Sequence, residues 1–172
     1  PIKSSAASDV YKRQLTNLRF MLRLRRSRTP YPVEGCRYPV YLAEGLPSPC
    51  LFGLLHPAIY LTPAAAESPE TLRHVLAHET THARHGDPLW SLLRCVCLAV
   101  YWFDPLVWVA AVVSRRDCEL ACDEGALQRL GEAERIPYGQ TLLRLIPVAR
   151  RPESPMLSAT TMTAGKKELK DR

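Results

Sequence analysis

The stretch Leu76–Asp87 reads LAHETTHARHGD, and the rest of the chain is read outward from it. His78 and His82 stand four residues apart, so on a helix they share one face, a turn from each other. Two imidazoles so placed can grip a single ion, and zinc is the usual guest of such nitrogen ligands. Glu79 follows the first histidine directly, where it can reach a water activated by the metal without itself binding the metal. Zinc lowers the pKa of such a water to about 7, and Glu79 can accept its proton. The nucleophile so formed would attack a peptide carbonyl polarised by the metal. Histidine is otherwise scarce: the chain holds five, four of them between His74 and His85.

The flanks of this stretch predict a helix. Ser68-Pro69 places a capping side chain before a proline at the first helical position, and Gly86 supplies a stop, so the helix runs from Pro69 to about His85. The same pairing recurs at Asp87-Pro88 and Asp104-Pro105. It predicts a second helix from Pro88 to about Phe103 and a third from Pro105 to about Arg129, ended by Gly131. A shorter helix fits Tyr138–Ile146. Upstream, Tyr38–Leu42 and Ile59–Leu61 carry short strand patterns, with Leu51 and Phe52 as a further short strand. The expected fold is α+β and mostly helical, with a small antiparallel sheet preceding the HExxH helix.

A catalytic zinc takes three protein ligands and keeps a fourth position open. A third histidine in the pattern HExxHxxGxxH fails here, because His85 stands at the glycine position and Pro88 at the last histidine position. His74 lies too far along the helix axis to share the ion easily, and both it and His85 read as non-ligands. The better source is the acidic stretch Arg115–Glu124, which offers Glu119 and Asp123 one turn apart. Glu119 can bind the metal, and its setting among Cys118, Leu120, Ala121 and Cys122 is one in which a carboxylate needs a partner. Asp123 can accept the other ring N–H of a ligating histidine and fix its tautomer. Cys118 with Cys122, or Cys95 with Cys97, are weaker metal candidates, since no second pair stands at zinc-finger spacing.

Composition limits the remaining choices. The chain has 172 residues, 47% hydrophobic and 23% charged, which suits one globular domain with a sizeable core. Its net charge is +6, and part of the excess is the run Arg19, Arg23, Arg25, Arg26 and Arg28 on a basic helix predicted at Leu15–Arg28. Without stacking aromatics or a base-reading motif beside it, this run reads as a solvated face rather than a nucleic-acid site. Six cysteines in a long chain with an apolar core and no secretory signal read as free thiols in a reducing compartment. No stretch reaches the ~18 uninterrupted apolar residues of a membrane span. The best candidate, Leu98–Val113, is cut by Asp104 and Pro105, although it could still touch a membrane. Residues 1–14 are polar and unpatterned and look like a non-native leader. Residues 15–149 form the expected domain, and 150–172 a fraying polar tail toward a missing segment.

Taken together, these residues resemble the membrane metallopeptidase domain of the beta-lactam-sensing regulators of the Bla and Mec type, which are gluzincin peptidases. The matching stretches are Ser48–Leu61, Leu76–Asp87, Trp102–Trp108 and Arg116–Glu124, with weaker likeness at Tyr138–Leu145 and Lys166–Arg172. The family usually has Asn where this chain has Asp104, a change between two good helix caps. The resemblance implies zinc ligands at His78, His82 and Glu119, a catalytic base at Glu79, and flanking membrane helices with the site facing the cytoplasm. The basic run agrees with the positive-inside rule. In that family, sensing outside activates proteolysis inside, with degradation of a transcriptional repressor. Related peptidases hold substrate as an added strand, and Ala58, Ile59 and Tyr60 are the expected edge. Arg115, Arg116 and Tyr60 are candidates for stabilising the oxyanion. The competing readings are a non-enzymatic, zinc-stabilised membrane transducer and a DNA-binding regulator using the basic helix.

Overall fold

The computed structural model describes residues 24, 26–145 and 160–161. In chain order come β1 (Thr29–Pro30), β2 (Val40–Leu42), β3 (Cys50–Phe52) and β4 (Ala58–Leu61). A 3-10 turn at Pro63–Ala66 leads into α1 (Pro69–His85), α2 (Asp87–Val100) and α3 (Pro105–Leu130). A second 3-10 turn, Glu132–Glu134, precedes α4 (Arg135–Leu145), and β5 (Thr160–Thr161) returns to the sheet. The fold is mostly helical with one small sheet, as its residues predict.

The sheet is mixed, which corrects the antiparallel expectation. Its order is β1-β2-β4-β3-β5, and β4 runs parallel to β2 with Val40 opposite Ile59 and Leu42 opposite Leu61. After β2 the chain passes outward to β3, then hairpins back so that β4 fills the slot between them. The composition of β4 explains the placement. Ile59 and Leu61 enter the main core with Val40, Leu51, Val75 and Ala126, while Ala58 and Tyr60 pack on the other face with Leu24, Ala43 and Cys50. A strand apolar on both faces belongs in the middle of a sheet. Ala58, Ile59 and Tyr60 are therefore interior, not the free edge expected of them. The β3–β4 turn depends on Gly53, whose φ is +116° and where a Cβ would lie 2.4 Å from the His56 carbonyl oxygen.

The helix starts follow their caps, with one exception. The Ser68 side chain accepts from the Thr71 amide, and Asp104 accepts from the Leu106 amide. Asp87, predicted to cap α2, instead opens the helix itself; Gly86 precedes it without a side-chain cap. The α2 helix also ends at Val100 rather than near Phe103, because Tyr101 closes back on the Cys97 carbonyl. The α4 helix starts at Arg135, three residues before the expected Tyr138, with Pro137 tolerated in its first turn.

The α1 helix lies over the sheet, and α3 packs along it. They approach closely at Gly125, where a Cβ would stand 2.8 Å from Thr81 Cγ2. Tyr138, Leu142 and Leu145 of α4 close the core. By contrast, α2 and the start of α3 cover little. Leu89, Trp90, Val96, Trp102, Phe103 and Leu106 are among the residues they leave exposed.

All six cysteines are free. Among the described residues no helix is long and apolar enough to cross a membrane. Of the predicted basic helix, Leu24, Arg26 and Ser27 are helical and most of the remainder lies outside the described residues. The leader at 1–14 lies outside them too, as does the tail beyond 150 apart from 160–161. Those two residues pair antiparallel with β3, against the expectation of a fraying end.

Candidate metal centre

Helix periodicity puts His78 and His82 on the buried side of α1, at 1% and 0% exposure. Their rings meet edge to face, and their Nε2 atoms are 2.9 Å apart. The α3 helix carries Glu119 to the same point, with Oε2 3.8 Å from His78 Nε2. Donor atoms of all three residues lie within 4.8 Å of one another. The structure thus brings together the three residues that the spacing singled out as ligands. His85 stays out of this group, and His74 bonds elsewhere, to Thr141 and Glu134.

The other ring nitrogens decide whether a metal fits. His82 Nδ1 is 2.6 Å from Asp87 Oδ2. His78 Nδ1 is 2.8 Å from Tyr138 Oη and 3.1 Å from Asp123 Oδ1. Carboxylates only accept, so both Nδ1 atoms are assigned the proton. Both Nε2 atoms then present lone pairs to each other, an arrangement that calls for a cation between them. The spacings of 2.9 and 3.8 Å bracket the ~3.3 Å between ligand atoms on a tetrahedral zinc. Burial, followed by the neighbouring His78, also lowers the pKa of His82, favouring the neutral imidazole that a metal requires.

Glu79 is wholly buried beside this cluster. Burial first, and the Glu119 charge second, raise its carboxyl well above the usual range, while the Leu51 backbone on β3 lowers it in part. Neither carboxylate oxygen completes a hydrogen bond of ordinary geometry. A buried carboxylate raised in this way favours its protonated form more than an exposed one does.

The structure brings Asp123 to a ring nitrogen of His78, together with companions that sequence reasoning missed. Asp87 read as a cap, yet its Oδ2 accepts from both His82 and the Cys122 thiol, the latter at 3.1 Å. Burial pushes the Asp87 carboxyl up, but these two hydrogen bonds outweigh it and hold it below its ordinary value. The Cys122 thiol is pushed up by burial and then by Asp87, to which it donates. Tyr138, sixty residues from His78, carried no signal in its spacing. Among the oxyanion candidates, Tyr60 is committed to Arg28 on the far side of the sheet, its hydroxyl accepting at 3.0 Å.

Residues 35–172 match the family described as BlaR1 peptidase M56. The chain belongs to the BlaR1 peptidase M56 family. It is similar to the regulatory protein BlaR1 of Bacillus licheniformis, with 31% identity over 126 residues, covering 73% of this chain and 21% of that protein. It is also similar to the methicillin resistance mecR1 protein of Staphylococcus aureus, at 27% identity over 104 residues, 59% of this chain and 18% of the relative. The chain therefore spans about a fifth of the length of the curated relatives it matches. Membership in a metallopeptidase family implies a metal ion, and the M56 fold here offers a buried His-rich cluster to hold it.

Proposed function

We propose that this M56 domain is a zinc-dependent endopeptidase, part of a membrane-bound signalling regulator with its catalytic face toward the cytoplasm. Its substrate is a protein, either a transcriptional repressor or the regulator's own chain. The observation that carries the reading is the convergence of His78, His82 and Glu119 next to a wholly buried Glu79. In this reading the three residues would hold zinc, which would supply Lewis acidity toward a scissile carbonyl and a water. Glu79 would accept a proton from the attacking water on a carboxylate oxygen and deliver it to the departing amine. A purely structural zinc would leave the burial cost of Glu79 without a use, which disfavours the non-enzymatic transducer.

The substrate is proposed to lie along the outer edge of β3. The β3 backbone bears on Glu79 at Leu51, and its side away from β4 carries the two-residue β5; the antiparallel pairing of Thr160 with Leu51 marks the place that an extended substrate segment would take in exchange for β5. Main-chain pairing of this kind gives affinity with little dependence on sequence. The exposed apolar residues of α2 and the start of α3 support a setting beside membrane helices.

The test is zinc content and peptide cleavage measured together. About one zinc per chain is expected in the wild type and in Glu79→Ala, with a large loss in Glu119→Ala. Cleavage is expected in the wild type alone. Metal-dependent cleavage surviving in Glu79→Ala would remove the assigned base, and a folded wild type without zinc would remove the whole reading.

A further inference from the structure

The α4 helix reaches α1 through two hydroxyls one turn apart. Thr141 Oγ1 is 2.9 Å from His74 Nδ1, and Tyr138 Oη is 2.8 Å from His78 Nδ1. Only the second histidine belongs to the metal cluster. The phenol of Tyr138 donates to Asp123 Oδ1 at 2.8 Å, so its proton is spoken for. Its oxygen lone pairs are then left to accept from His78 Nδ1–H. The phenol and the imidazole are shielded from water, with Tyr138 at 2% exposure and His78 at 1%.

We infer that Tyr138 is a positioning residue for the metal, holding the His78 ring in the tautomer and orientation that present Nε2 to the ion. The inference rests on the zinc reading above. Core packing alone would be served by a phenyl ring, since Leu142 and Leu145 flank it in the same cluster. The hydroxyl adds a polar contact aimed at a candidate ligand, together with the proton acceptor that fixes its direction. Removing such a partner from a ligating histidine typically costs about 10–100-fold in metal affinity. It follows that displacing α4 would weaken the metal site, although α4 supplies none of the three candidate ligands.

The experiment compares wild type, Tyr138→Phe, Asp123→Asn and Thr141→Val in the full chain. Zinc affinity is read by chelator competition, and the visible spectrum of the cobalt-substituted protein reports ligand geometry. Tyr138→Phe is expected to weaken zinc binding by about 10–100-fold and to shift the cobalt bands. Asp123→Asn should move both in the same direction, and Thr141→Val should move neither. Wild-type affinity and spectrum in Tyr138→Phe would overturn the inference. An equal loss in Thr141→Val would also do so, by showing that only the docking of α4 matters. If Tyr138→Phe does not fold, a fluorinated tyrosine placed at 138 decides, because it keeps the ring in the core while weakening its oxygen as an acceptor; an unchanged affinity and spectrum would overturn the inference. A wild type that binds no zinc overturns the metal reading and this inference with it, so the two failures are distinguishable.

Discussion

A carboxylate with no exposure, as at Glu79, is a local cost to the fold. The cost is tolerable only when a cation or a proton offsets it. Glu79→Gln should therefore stabilise the metal-free protein, on the order of 1–2 kcal/mol by denaturant unfolding, while abolishing cleavage; an unchanged or lowered midpoint would contradict this. A second carboxyl behaves oppositely. Glu134 sits below its ordinary value because of hydrogen bonds from Arg73 and then His74. A depressed carboxyl contributes stability above its unfolded pKa and loses it as pH falls through the folded one. Unfolding midpoints followed from about pH 6 to about pH 3 should thus show wild type converging on Glu134→Gln; a constant gap would refute the linkage. At this scale the sequence exposes the residues whose spacing is itself the signal. His78, Glu79 and His82 are legible because helical periodicity converts spacing into a shared face, and Glu119 because its apolar neighbours demand a partner for it. Asp87 was misread because aspartate before proline serves equally as a cap, and only the tertiary fold shows its carboxylate turned toward His82.

Helix boundaries at Ser68, Gly86, Asp104 and Gly131 could be read from capping chemistry, which is local and therefore written in the sequence. Strand order could not. Short runs such as VYL, CLF and AIYL state which faces are apolar but not which neighbour lies beside them. The hairpin that inserts β4 between β2 and β3 also puts β3 on the outer side of β4, where β5 pairs with it. That hairpin turns on Gly53, where an alanine would face both an unfavourable φ and the His56 carbonyl. Gly53→Ala is expected to destabilise the fold by roughly 1–3 kcal/mol, measured by thermal or denaturant unfolding. A neutral result would mean that the turn relaxes without disturbing β3 and β4.

Across the whole molecule, apolar surface is distributed unevenly. Leu89, Trp90, Val96, Val100, Tyr101, Trp102, Phe103, Leu106 and Val109 are all about half exposed or more, and they crowd one helical hairpin. A patch of this kind drives association in water. The isolated chain should self-associate in buffer and become monomeric in mild detergent, as sedimentation would report; a monomer in buffer at micromolar concentration would argue against this. The sequence shows the apolar run, but not that the domain leaves it uncovered, because that depends on how α2 and α3 dock. Docking also matters on the opposite side of α3. The candidate ligands come from two separate helices, and Gly125 lets those helices sit as near as their backbones and Thr81 permit. A metal site tolerates distance errors of only about 0.2 Å. One missing methyl group, six residues along α3 from Glu119, thus works as a gauge block, setting the bore of the metal site by the clearance between two rods.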